Sequence, residues 1–151
     1  MRMGIWNACF LNRGDGTTMK KISILLVDDE IEVLEVLCLR LERRGLDVHM
    51  ADSGEKALAM LAELPVNIVL LDVKMPNMDG IAVLGRIRSD FPQIGVIMLS
   101  GHADMQVAAH GLEMGAFSYL LKPVDIDSLC HKIEDACQQM QLDSSATAKK
   151  A

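Results

Sequence analysis

The stretch NIVLLDVKMPNMDG, residues 67–80, sets the reading of the whole chain. Val66 to Leu71 is an unbroken apolar run, the pattern of a parallel strand covered on both faces. A carboxylate, Asp72, stands where the chain leaves that strand. Pro76, Asn77 and Gly80 then mark a loop, and a helix is expected from about Gly80 to Asp90. The unit is a buried strand, an acid at its carboxyl end and a turn into a helix. Open α/β sheets bind their ligands at that edge.

The same unit recurs on either side. Ile22 to Val27 is a first apolar strand, followed by Asp28-Asp29-Glu30. Ile31, Leu34, Leu37 and Leu41 recur at helical spacing over Glu30–Arg44, and Gly45 supplies a stop. Leu46–Ala51 reads as the second strand. Ser53 opens a helix with Ala57, Met60, Leu61 and Leu64 on one face, ended by Pro65. Gly95–Leu99 is the fourth strand, and the helix Ala103–Met114 closes at Gly115. Phe117–Leu121 is the fifth strand. Asp125 caps a last helix that runs to about Met140. Five strands alternating with five helices predict an α/β fold, a parallel sheet with helices on both faces.

Composition narrows the possibilities. The chain has 151 residues, enough for one domain of ordinary size. Half of the residues are hydrophobic, with only one Trp, one Tyr and three Phe, so the core must be aliphatic. The net charge of −6 argues against a nucleic-acid surface, which needs a basic footprint. Cys9, Cys38, Cys130 and Cys137 form no CxxC pair and read as reduced, mostly buried thiols in a cytoplasmic protein. No apolar run approaches the ~18 residues of a membrane span, and Met1–Leu11 lacks the features of a signal peptide. Residues 1–18 are expected to be a disordered extension, 19–141 the folded domain and 142–151 a disordered polar tail.

Polar residues mark the end of each strand but the second. They are Asp28 and Asp29, then Asp72, then Ser100-Gly101, then Lys122-Pro123. A single Asp at such a place is most often a turn or cap residue, and a lone Lys a solvated charge. Their joint placement on one edge is harder to dismiss. Three carboxylates that converge repel one another unless a cation intervenes, and oxygen ligands of this kind suit Mg²⁺. A lysine and a hydroxyl beside them suit a phosphate.

These residues carry a resemblance. ILLVDDE, NIVLLDVKMPNMDG, VIMLSGH and YLLKP, in this order and spacing, resemble the response-regulator receiver domain of two-component signalling over about Lys21 to Met140. The resemblance implies a flavodoxin-like, doubly wound sheet of order 2-1-3-4-5. It implies that Asp72 is the phosphoacceptor and that Asp29 is a direct ligand of Mg²⁺ (or Mn²⁺). Asp28 would act mainly through metal-bound water, and the Lys74 backbone carbonyl would be a further ligand. Lys122, Ser100 and the backbone at Gly101 would contact the phosphoryl group. A cis Lys122–Pro123 bond would aim the lysine, and Tyr119 would be the aromatic switch. Lys74 and His102, each two residues past a key position, are expected to tune the lifetime of the phosphate.

The function implied is a phosphorylation-dependent switch and not an enzyme acting on a separate substrate. Its phosphodonor would be a sensor histidine kinase or a histidine phosphotransfer protein. Its output would be a repacked surface of the fourth helix, fifth strand and fifth helix, read by a downstream protein. A phosphorelay intermediate, a phosphate sink and a receiver-like docking module without phosphorylation are the alternatives. The expected protein is a monomer or weak dimer that neither binds nucleic acid directly nor inserts in a membrane. An aspartyl phosphatase is disfavoured because strand one ends Asp-Asp-Glu where such enzymes place Asp-x-Asp. A dinucleotide-binding domain is disfavoured because Gly14-Asp-Gly16 precedes a strand where the fingerprint must follow one.

Overall fold

The computed structural model describes residues 10–12, 19–73, 79–101 and 105–150. A short antiparallel pair, β1 (Phe10–Asn12) and β2 (Met19–Lys21), comes first. There follow β3 (Ser23–Val27), α1 (Ile31–Glu42), β4 (Asp47–Ala51), α2 (Gly54–Glu63), β5 (Ile68–Asp72) and α3 (Gly80–Asp90). The chain continues through β6 (Gly95–Ser100), α4 (Met105–Glu113), β7 (Ser118–Leu121) and α5 (Ile126–Lys150). The five-stranded sheet is parallel throughout, in the order β4-β3-β5-β6-β7. Counted from its own first strand this is 2-1-3-4-5, the order anticipated above.

Strand alternation divides the core between two faces. Ile24 and Leu26 of β3, Ile68 and Leu70 of β5, and Ile97 and Leu99 of β6 point to one side. There they pack on Leu34 and Leu41 of α1 and on Leu129, Ile133 and Ala136 of α5. Leu25, Val27, Val69, Leu71, Val96 and Met98 point to the other side, against Ala57 and Leu61 of α2 and Val83, Leu84 and Ile87 of α3. Val107 of α4 packs on the same cluster. The three central strands are buried at every position, which is why their sequences are continuous apolar runs.

Local chemistry sets the helix ends. The Ser53 hydroxyl accepts from the Lys56 amide at 3.2 Å, and the Asp79 carboxylate accepts from the Ile81 amide at 2.9 Å. Asp125 takes both the amide and the hydroxyl of Ser128 at 3.0 Å, and these bonds, led by the backbone one, hold its carboxyl below the usual range. Gly45 follows α1 with φ 87°, a left-handed turn that a side chain would oppose. Cys38, Cys130 and Cys137 are buried and form no disulfide, and burial, helped by Glu134, pushes Cys137 up to about 12. Cys9 lies outside the described residues. No described helix is long and apolar enough to cross a membrane.

Two boundaries differ from expectation. The segment 1–18 was expected to be disordered throughout, yet Phe10–Asn12 pairs with Met19–Lys21. Met19–Lys21 prolongs the extended chain upstream of β3, and a free strand edge invites a partner. The tail 142–151 was also expected to be disordered, but α5 runs on to Lys150. Residues 141–150 hold no Gly or Pro, and Gln, Ala and Lys are good helix formers, so polarity alone does not end the helix.

Gly80 has a further part in the architecture. A Cβ there would lie 2.5 Å from the Asp72 carbonyl oxygen and 2.6 Å from that of Val73. Only a glycine lets the first turn of α3 lie this close to the end of β5. Gly80→Ala is expected to cost about 2 kcal/mol in urea unfolding. Gly101→Ala, where a Cβ meets nothing within 4 Å, should stay within about 0.5 kcal/mol of wild type. A Gly80→Ala protein as stable as wild type would show that α3 has room to retreat.

Candidate functional site

Register delivers the site. Val27 pairs with Leu71 across β3 and β5, so Asp28 and Asp72, the next residues, emerge side by side. Asp72 pairs with Leu99 across β5 and β6, and Ser100 with Leu121 across β6 and β7. Ser100 and Lys122 therefore follow one step further along the same edge. Backbone bonds hold these ends together: Asp28 N–H to Ala51 O at 3.2 Å, Val73 N–H to Leu99 O at 3.0 Å and Lys122 N–H to Ser100 O at 2.7 Å.

Among the described residues the buried polar side chains are Ser23, Asp28, Asp72 and Ser100. The last three all stand at this edge, and a core does not accept polar groups without cause. Asp28, Asp29 and Asp72 each offer a carboxylate oxygen, and these oxygens lie within 4.8 Å of one another. Asp29 is exposed, which leaves the cluster open to solvent on one side. The ammonium of Lys122 lies 2.6 Å from Asp28 Oδ2 and 3.5 Å from Asp72 Oδ1. Asp28 Oδ1 accepts from the Glu30 amide at 3.0 Å. Burial alone would lower the lysine, but the hydrogen bond to Asp28 and the charges of Asp72 and Asp28 outweigh it and raise Lys122 above its ordinary value.

Three carboxylates and one ammonium leave two negative charges in a small volume. An all-oxygen donor set of this kind, partly open to water, fits a hard divalent cation that keeps several waters and uses few carboxylates. Tyr119 sits opposite Met98 on β7 and is half-buried against the second core cluster. The Lys122–Pro123 peptide is cis. Gly101 is exposed. Lys74 and His102 lie outside the described residues.

Two contributors were not foreseen from the sequence. Asp28 binds the Glu30 amide at the start of α1 in addition to facing the pocket, a double use that the Asp-x-Glu spacing could have suggested. The second is an apolar groove of about 530 Å³ beside the pocket. Val33, Val36 and Leu37 of α1 form one wall, and Pro123, Val124 and Ile126 the other. Val36 is 51% exposed, and its place off the core-facing stripe of α1 was the available signal.

The raised lysine has a consequence for stability. Its folded value lies above the ordinary 10.5, so its contribution is fully present below that pH and is lost as pH rises through the folded value. In metal-free buffer at pH 7, Lys122→Gln is expected to lose about 1–2 kcal/mol, because two buried carboxylates keep no counter-charge. The gap to wild type should hold up to about pH 10 and narrow above it. Urea titrations across that range check this; no gap at pH 7, or one that widens in alkali, counts against it.

Comparison with known proteins agrees with this fold. The family model described as "Response regulator receiver domain" matches residues 24–134. Regulatory protein AtoC of Escherichia coli K12 is 37% identical over 115 residues, 76% of this chain and 25% of that protein. Transcriptional regulatory protein ZraR of the same strain is 39% identical over 119 residues, 79% of this chain and 27% of that protein. The chain thus spans about a quarter of the length of these curated relatives. Among solved structures, a receiver domain from Clostridium thermocellum has a TM-score of 0.77 at 34% identity, covering 80% of this chain and 98% of that one. A CheY-like receiver domain from Methanospirillum hungatei JF-1 has a TM-score of 0.77 at 30% identity, covering 81% and 98%. With its sheet order, its acidic edge and these matches, the chain belongs to the response regulator receiver domain family.

Proposed function

We propose that the chain is a phosphorylation switch in which Asp72 accepts a phosphoryl group from a phosphohistidine on a partner kinase or phosphotransfer protein. The observation that carries this reading is the buried Asp72 carboxylate, within 4.8 Å of two further carboxylates and 3.5 Å from a lysine ammonium. A carboxylate oxygen of Asp72 attacks phosphorus. The new P–O bond forms as the P–N bond breaks, and the electron pair leaves on the imidazole nitrogen. Asp28, Asp29 and Asp72 are the residues that would hold Mg²⁺ or Mn²⁺, which supplies positive charge against the repulsion between carboxylate and phosphoryl group.

The chain's own residues do the rest by position and charge. Lys122 neutralises an oxygen of the acyl phosphate. Ser100, at the end of β6, donates its hydroxyl to another. The modification adds about two negative charges near pH 7. Movement of Ser100 toward them opens space behind it, into which Tyr119 of β7 turns. The surface of α4, β7 and α5 then repacks, a shift between two populated states. Met105, Leu112 and Leu121 are exposed apolar side chains on α4 and β7 that offer an effector contact area.

The groove between α1 and Pro123–Ile126 adjoins Lys122 and suits the phosphodonor, whose histidine must reach Asp72. We assign the protein to the cytoplasm. Its output is a protein contact and not direct DNA binding, in keeping with the net charge of −6. It performs no chemistry beyond gaining and losing its own phosphate.

Intact mass after incubation with acetyl phosphate tests the reading. One phosphoryl adduct is expected in wild type with Mg²⁺, and none in Asp72→Asn or with EDTA. No adduct in wild type, or one that persists in Asp72→Asn, would leave a docking module or a different acceptor.

A further inference from the structure

α4 is attached to the sheet differently from its neighbours. α1 buries Leu34, Cys38 and Leu41, and α3 buries Val83, Leu84 and Ile87. In α4, nine residues long, the buried residue is Gly111, which has no side chain to pack. The space beside it is filled from the sheet, by the fully buried Met98 of β6. A Cβ at Gly111 would overlap the Met98 Sδ and lie 2.8 Å from its Cε. Glycine is the poorest helix former after proline, and the close approach accounts for its place inside this helix. The thioether sits in a notch that only a glycine leaves open.

Met98 also stands at a junction. It precedes Ser100 by two residues on β6, so the two side chains leave the strand on the same face. It pairs with Tyr119 across β6 and β7, and both pack in the same core cluster. Met98 thus lies between the hydroxyl and ring of the switch and the helix that displays Met105 and Leu112. In a close-packed interior a side chain changes place only when a neighbour makes room. An unbranched, flexible thioether is well suited to such a change.

We propose that Met98, seated in the notch at Gly111, is a positioning residue that ties the seat of α4 to the packing of Ser100 and Tyr119. The proposal rests on the reading that phosphorylation of Asp72 moves those two side chains. As Ser100 moves and Tyr119 turns inward, the space beside Met98 changes, the thioether withdraws from the notch and α4 loses its buried seat. By linkage, a change at the notch biases Ser100 and Tyr119 in equal measure. A methyl group added at Gly111 displaces the thioether and favours the repacked state before any phosphate arrives.

Tyr119 is the one tyrosine of the chain, so fluorotyrosine labelling gives a single ¹⁹F NMR signal that reports the switch. Its position is measured in the full chain before and after acetyl phosphate with Mg²⁺, with intact mass to count the adduct. In unphosphorylated Gly111→Ala the signal is expected to move toward the phosphorylated wild-type position, by about a fivefold rise in the equilibrium constant. Met98→Leu, similar in volume but branched, should move it the same way without touching the helix. Adding Gly111→Ala to Met98→Ala should produce no further movement, because the thioether is already gone. A helix-propensity effect of the added methyl would persist in that background, and its persistence overturns the proposal. So does a signal that stays put in both Gly111→Ala and Met98→Leu, or one that ignores phosphorylation in a wild type carrying the adduct; the phosphoacceptor reading then stands. If wild type gains no adduct, both fall.

Discussion

The contact among Asp28, Lys122 and Asp72 is the constraint to which the rest of the molecule is fitted. Two buried carboxylates and one exposed one stand together at a sheet edge, with an ammonium 2.6 Å from the first. Alone, such a cluster works against folding: charges removed from water lose hydration, and like charges repel. It is tolerable because the backbone holding it cannot relax. β3, β5 and β6 are buried at every position. Their register places the side chains one step beyond the last paired residues.

A site that carries net negative charge and is held by a stiff scaffold attracts cations. The aliphatic core makes no chemical contribution of its own. Its part is to deny the carboxylates any route apart. Gly80 shows the same economy in the backbone, since α3 begins in contact with the carbonyl of Asp72. A side chain there would push the helix or the acid out of place.

The groove between α1 and the segment after β7 brings binding and charge together. Pro123 and Val124 follow Lys122 directly, so the lysine and one wall of the apolar groove belong to one loop. On the opposite side, Gly111 lets α4 approach Met98 of β6 closely, and β6 ends in Ser100. Both surfaces are thus attached to residues of the charged edge.

Much of this was legible in the sequence. The apolar runs of β3, β5 and β6, the helical spacing of Leu34 and Leu41, and the caps at Ser53 and Asp125 are local patterns. They name the elements because hydrophobic period and capping chemistry act over a few residues. Asp28, Asp29, Asp72, Ser100 and Lys122 could be picked out because each ends a strand of a parallel sheet. The polar ends of the chain were harder to read. Composition marks Phe10–Asn12 and the segment after Met140 as non-core, but strand pairing and helix propagation need no core. The sequence by itself determined the fold, its polar edge and the chemical kinds of groups placed there. Only the tertiary structure decided which carboxylate lies nearest the lysine and which apolar surface adjoins them. Those outcomes depend on distances between residues as far apart in the chain as Asp28 and Lys122, which no local pattern encodes.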